Sequence, residues 1–253
     1  MTDLEFRLDT GVGILKGKLA VPATEMRLAE LAWNAMALVE QMTALAVRSA
    51  VQSGRQVSCA KRCAACCRHL VPLSPPEAWL LADLVASLPR ERRAGRLDRF
   101  QQAIQILQNK GFEARSLPAG AAHEQILGLG LDYFRLGIPC PFLEDETCSI
   151  YHNRPSACRE YLVTAPAALC ADPGSGSVRG VTLPVSMSEC LSSLTAVLLD
   201  QEPRTIPLVL ALDWALAHRE EGQRRWDGVF MITALLAEVE ARIRSTRSAP
   251  NQG

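Results

Sequence analysis

Apolar residues recur at three- and four-residue intervals along most of this chain, the spacing that lays one side of a helix against a core. From Thr24, a plausible cap, the pattern runs to about Gln52 through Leu28, Leu31, Met36, Val39, Met42, Ala46 and Val47, and Gly54 follows its end. Ser74-Pro75-Pro76-Glu77 has capping-box spacing with proline at the first helical position, and predicts a helix with Leu81, Leu84, Val85 and Leu88 inward. After Arg90-Glu91-Arg92-Arg93, whose charges suit a solvated face, another helix turns Leu97, Phe100, Ile104 and Leu107 inward. Gly111 to Gly120 reads as a connection, and helical character returns near Ala121 with Ile126, Leu127, Tyr133 and Phe134 toward the core. Ser186-x-x-Glu189 starts a helix carrying Leu191, Leu194, Val197 and Leu198. Thr205 is expected to cap another, up to about Arg224, and Asp227 to open the last, with Phe230, Leu235, Val239 and Ile243 on one face.

Three stretches break the helical period. Residues 4–21 alternate loosely around Gly11-Val12-Gly13, which allows a short β-hairpin at the N-terminus. Pro139-Cys140-Pro141 removes backbone donors and makes residues 139–160 rich in loops, and residues 171–185 read as the most flexible part. The expectation is a mainly α protein: one helical domain over residues 1–246, built around a cysteine-rich metal centre at 59–170, and a flexible tail at 247–253.

The chemistry sits where the period fails. Cys59-Ala60-Lys61-Arg62-Cys63-Ala64-Ala65-Cys66-Cys67 puts four thiols within nine residues, in a chain that has nine altogether. Wound as a helix, Cys59, Cys63 and Cys66 fall at i, i+4 and i+7 on one face, with Cys67 at its edge. Thiolates that close repel one another, and a soft cation between them relieves the repulsion. A second run follows, with Cys140, Cys148 and Cys158, and Cys170 lies twelve residues beyond. Eight thiols permit two four-thiolate sites, and seven permit one site with thiols in reserve or two sites sharing a histidine. Four thiolates suit zinc or an iron–sulfur cluster about equally. The adjacent pair Cys66 and Cys67 would diverge by roughly 100° on a helix, which tilts the choice toward a polynuclear iron centre. Lys61, Arg62, Arg68, Arg154 and Arg159 lie in the same two runs and can offset thiolate charge, though Glu144, Asp145 and Glu146 oppose them. His69 and His152 flank the runs and are weaker candidate ligands. Cys190, alone at the start of a helical face, reads as a small buried hydrophobe.

Composition narrows the rest. Lys+Arg and Asp+Glu both total 27, so there is no net charge and no bias toward nucleic acid. Residues 1–20 lack the basic-then-apolar pattern of a leader, and the apolar run Ile206–Ala217 carries Asp213 and is too short to span a bilayer. A cytoplasmic protein with no membrane contact is expected. In that reducing compartment nine cysteines point to metal ligands or reactive thiols rather than disulfides.

CAKRCAACCR, CPFL and CSIYHNRPSACR together resemble the YkgJ family of cysteine-cluster proteins, whose shared region is named for zinc or iron chelation. The family pattern is a C-x-x-C-x-x-C-C run, then CPFL, then C-x-I-Y-x-x-R-P-x-x-C-R, and the likeness covers residues 59 to 161. Cys59 and Cys63 depart from it, being separated by three residues rather than two. The family includes flagellin lysine-N-methylases, so the resemblance also implies an alternative: a methyltransferase acting on a protein substrate. The residues give that alternative no independent support, since no G-x-G-x-x-G run follows a strand. A thiol redox protein cycling Cys66 with Cys67, or Cys63 with Cys66, is a third reading, without the βαβ context such proteins use.

Overall fold

The structure is a computed structural model that describes residues 2–112, 117–118, 123–176 and 178–248. Its centre is α1 (Leu28–Gln52), against which a hairpin and most of the other long helices pack. The predicted inner face holds, with Leu28, Leu31, Met36, Val39, Met42 and Ala46 all buried. The start differs: residues 25–27 form β3 (Glu25–Arg27), antiparallel to β9 (Arg225–Asp227), so Thr24 caps nothing. Glu30 does the capping instead. Its carboxylate accepts from Arg27 N at 2.9 Å and pairs with Arg27 Nε at 3.2 Å.

The N-terminal hairpin is present as β1 (Thr2–Asp9) and β2 (Ile14–Val21), antiparallel, with Leu4 opposite Leu19 and Leu8 opposite Leu15. Phe6, Leu8, Leu15 and Leu19 face α1 and α9 (Gly228–Ser248), joining the largest cluster of buried apolar residues. Asp227 caps α9, accepting from Phe230 N at 2.8 Å. Phe230 itself is exposed, and the buried face of α9 is Met231, Ile232, Leu235, Val239 and Ile243. The helix continues to Ser248, two residues into the expected tail, and 249–253 lie outside the described residues.

The capping box at Ser74 opens α2 (Pro75–Ala86), and Ser186 opens α6 (Met187–Leu199), as their spacing predicts. On α6 Val197 is exposed, and Cys190 is fully buried among Leu191, Leu194 and their neighbours. Next come α3 (Arg90–Asn109) and α4 (His123–Arg135); Ala121 lies outside the described residues, Tyr133 is buried and Leu127 is exposed. Leu97 is also exposed, and the inner face of α3 is Arg96, Phe100, Ala103 and Leu107.

The helix expected from Thr205 is instead a strand followed by two short helices. β8 (Arg204–Pro207) lies between β4 (Pro72–Leu73) and β5 (Leu117–Pro118), antiparallel to both. Pro207 and the strand pairing hold residues 204–207 extended, so helix begins only after a 3-10 turn. α7 (Ala211–Ala217) and α8 (Arg219–Gln223) follow, and α8 lies so near Trp79 that a Cβ on Gly222 would meet its Nε1 at 2.6 Å. Among the described residues the fold is mainly α, with nine α-helices and short strands. No helix among them is long and apolar enough to cross a membrane.

Candidate metal centre

The first cysteine run is not a helix. From Cys59 to His69 the chain makes successive turns, with Cys63 N donating to Ala60 O (3.1 Å), Cys67 N to Ala64 O (2.9 Å) and His69 N to Cys66 O (3.0 Å). Arg62, in the left-handed region at φ 74°, breaks the path between Cys59 and Cys63. This corrects the i, i+4, i+7 face. It also removes the argument from divergence, because the Cys66 and Cys67 thiols are hydrogen-bonded to each other.

The second run is loop-rich, as expected. β6 (Leu143–Glu144) and β7 (Thr147–Cys148) form a two-residue ladder closed by Asp145 and Glu146, both left-handed at φ 47° and 52°. A 3-10 turn at Tyr151–Asn153 leads to α5 (Ser156–Glu160), which carries Cys158. The two runs meet directly: Cys140 N donates to Cys67 O at 2.7 Å. Arg68 Nη2 adds an ion pair to Glu146 at 2.9 Å.

Polar side chains, several of them buried, fix these loops. Arg96, 4% exposed, donates from Nη1 to Pro141 O and from Nη2 to Ser149 Oγ (2.9 Å), pairs with Glu144, and lies over the Phe142 ring. Arg159 is also buried. It donates from Nε to Arg154 O at 2.7 Å, from Nη2 to His152 O, and pairs with Glu40 on α1. Glu77, fully buried, accepts from Ser74 N (3.0 Å) and Ser74 Oγ (2.7 Å), and its other oxygen accepts from Ser156 N (2.7 Å). One carboxylate therefore caps both α2 and α5. Sequence reasoning missed Arg96 and the second role of Glu77. The signal for Arg96 was its place at i in the stripe Arg96, Phe100, Ala103, Leu107, an arginine where an apolar residue belongs.

Eight of the nine thiols gather in this region, and all nine are free. Cys66 is their junction: its charge raises the pKa of Cys59, Cys140, Cys148, Cys158 and Cys170. On one side, Cys59 and Cys170 also feel Cys63; on the other, Cys158 feels Cys140 and Cys148. Cys59, at the altered spacing, is held to the segment after the second run, its sulfur accepting from Val163 N at 3.3 Å. Cys170 is tied in by His69, whose Nε2 lies 2.7 Å from Cys170 O, and by a bond from Tyr161. A carbonyl only accepts, so Nε2 carries the proton; burial disfavours the imidazolium, which leaves Nδ1 with a free lone pair. His152 is exposed, edge-on to Tyr151. Cys190 stands apart in the helical core.

Burial is the main cause that raises the Cys140 thiol to about 12 and the Cys158 thiol well above its usual value. The hydrogen bond that the Cys66 thiol donates to Cys67, then burial, does the same to Cys66. Two arginines oppose this: Arg154 lowers the pKa of Cys59, Cys66, Cys148 and Cys158 while stacked 3.8 Å from the Tyr151 ring centre, and Arg96 lowers that of Cys140 and Cys148. Of the cations read from the sequence, Arg68 and Arg159 are spent on ion pairs with Glu146 and Glu40. Neighbouring thiols that Arg154 and Arg96 only partly compensate make a donor set that a soft dication fits. As the side chains stand, no three His, Cys, Asp or Glu among the described residues are close enough to grip an ion.

Residues 58–173 match a family model named CxxCxxCC and described as a "Putative zinc- or iron-chelating domain". The match bears out the resemblance read from the two cysteine runs, and its bounds enclose all eight gathered thiols and exclude Cys190. No curated protein and no solved structure matches the chain.

Proposed function

We propose, from the premise that residues 58–173 are a domain of the zinc- or iron-chelating CxxCxxCC family, that this protein holds such a metal through cysteine thiolates. Cys66, Cys140, Cys148 and Cys158 form the inner set. Cys59, Cys63 and Cys170 form an outer set that meets it at Cys66, with Cys67 beside the junction. The observation that carries the reading is the direct meeting of the two cysteine runs, where Cys140 N donates to Cys67 O at 2.7 Å beside Cys66. Bound there, zinc or iron supplies the positive charge that lets these thiols ionise, and so ties the two runs together. Arg154 holds part of that charge in advance. Closing on an ion draws the inner thiols nearer to one another than they stand in the ion-free chain.

An iron–sulfur cluster and a zinc–thiolate site both follow from this donor set, in a reducing compartment such as the cytoplasm. Thiol redox cycling is disfavoured, because thiols kept protonated are poor nucleophiles. The methyltransferase reading of the YkgJ likeness gains no observation, as the paired strands among the described residues are antiparallel and short. The test is anaerobic purification followed by metal analysis and an absorption spectrum. Stoichiometric iron with a band near roughly 400 nm identifies a cluster, and colourless protein with zinc identifies the other form. Protein that takes up neither metal, with Cys158→Ser indistinguishable from the parent, removes the proposal.

A further inference from the structure

The thiols differ in their access to solvent. Cys140, Cys148, Cys158, Cys66, Cys67 and Cys59 are half-buried, Cys170 is buried, and Cys63 is exposed. Cys63 also follows Arg62, whose left-handed backbone turns the chain outward between two tight turns. Charge along the run that carries it is one-sided. From residue 41 to residue 76 there is no Asp or Glu, while Arg48, Arg55, Lys61, Arg62 and Arg68 all fall in that stretch. Arg48, Arg55, Lys61 and Arg62 are exposed, and among the described residues none of the four has a carboxylate partner. Lys61 and Arg154 meet on the same Tyr151 ring, at 5.7 and 3.8 Å, so the positive edge of the run is continuous with the cation beside the inner thiols.

We propose that the Cys63 face is the loading mouth of the centre, built to take metal from a small anionic thiol carrier of the glutathione class. The inference rests on the thiolate-centre reading above and adds a donor chemistry and a point of entry. An aqueous dication is repelled by this surface, whereas a metal already wrapped in thiolates and carboxylates is attracted to it. Cys63 Sγ then displaces one carrier sulfur. One metal–sulfur bond forms as another breaks, the Cys63 proton leaves with the departing carrier thiol, and no electron moves. Cys66, which shares the outer and inner groups, hands the ion inward by the same exchange.

Cadmium is the probe, since its thiolate charge-transfer band reports loading optically and its exchange is redox-silent. The full chain, reduced and metal-free, is mixed at low ionic strength with cadmium presented by glutathione, by neutral 2-mercaptoethanol, by cationic cysteamine, or as the aqueous ion. Loading is expected to be about tenfold faster from glutathione than from cysteamine, and the gap is expected to close at about 1 M salt. The double variant Lys61→Glu/Arg62→Glu, at two exposed positions, should slow loading from glutathione about tenfold, leave the final cadmium content unchanged and not slow the aqueous ion. Alkylation of the metal-free protein should mark Cys63 first, and a single adduct there should slow loading from glutathione. Equal rates from all three carriers, or a double variant that loads like the parent, overturns the mouth and leaves the thiolate centre standing. A parent chain that takes up no metal from any source overturns both.

Discussion

The helical body and the thiol-bearing loops are held by different forces. In the body, α1, α6, α9 and the hairpin share one apolar cluster, and Leu31, Leu38, Val39, Leu191, Leu235 and Val239 in it are fully buried. Burial of that kind is non-directional and tolerates small shifts. In the loops, residues 53–71 and 139–171, Phe142 and Val163 are buried apolar anchors. The loop positions depend in addition on Arg96, Arg159, Glu77, the Arg68–Glu146 pair and the bond from Cys140 N to Cys67 O. Directional bonds fix a geometry more narrowly, and each one lost leaves a partner stranded. A binding site gains from the second kind of order, because the less its ligands must move to meet the ion, the less binding costs. The body can therefore be damaged without disturbing the site, whereas the struts cannot.

The largest expected effect tests the body. Leu235→Ala removes a side chain with no exposure from the face of α9 and leaves a cavity worth about 4 kcal/mol. Urea unfolding should show that loss in the metal-free chain. The affinity of the remaining folded protein for cadmium should stay within about twofold of the parent. A large loss of affinity from this substitution would break the comparison at its root.

Legibility in the sequence divides along the same line. The buried face of α1, and Leu81, Val85, Leu191 and Leu194 on α2 and α6, follow from apolar spacing, and Ser74, Ser186 and Asp227 follow from capping chemistry, because both are local rules. Residues 204–207 misled because their partners, Pro72–Leu73 and Leu117–Pro118, lie far away in the chain, and no local pattern announces a central strand four residues long. For the same reason, 25–27 read as the first turn of a helix rather than as a partner for 225–227. In the site, the two motifs hold seven of the cysteines within residues 58–173, and Cys170 stands outside both. The helical presentation expected of the first run fails at one residue, Arg62, whose left-handed backbone nothing in its side chain predicts. Nor could spacing foretell that Glu77, already accounted for by Ser74, would reach a second helix 79 residues away.

An intermediate effect lies where body and loops join. Glu160 ends α5, accepts from Met187 N at the start of α6 (2.9 Å), and has its carboxyl raised to about 7, first by burial and then by the nearby Glu77 and Glu189. Its value in the unfolded chain is the ordinary 4.5. The folded state thus binds the proton more tightly, and the stability this contributes is complete below pH 4.5 and is lost as pH rises through 7. In Glu160→Gln that loss is absent, and the acceptor for Met187 N is kept. Measured on the metal-free protein, the variant should gain on the parent by about 2–3 kcal/mol between pH 4.5 and 7, on the scale of 1.36 kcal/mol per unit. Parallel curves for the two proteins would remove Glu160 as the cause.

The smallest expected change in stability is the most informative about the site. In Glu77→Gln the amide oxygen can still accept from Ser74 N and Oγ, but the amide nitrogen then faces Ser156 N, donor against donor. Turning the amide over restores Ser156 and strands Ser74 instead. Either way one buried bond at a helix start is lost, at about 2 kcal/mol. Ser156 opens the five-residue helix that carries Cys158, and α5 is too short to hold its shape alone. If the loss falls on α5, binding must restore the ordered form, and cadmium affinity should weaken about thirtyfold, the equivalent of about 2 kcal/mol. The comparison with Leu235→Ala is then direct: the substitution that costs the fold more should cost the site less. Equal losses of affinity in the two variants would mean that body and loops form a single cooperative unit, and that the buried struts add no order of their own to the thiols.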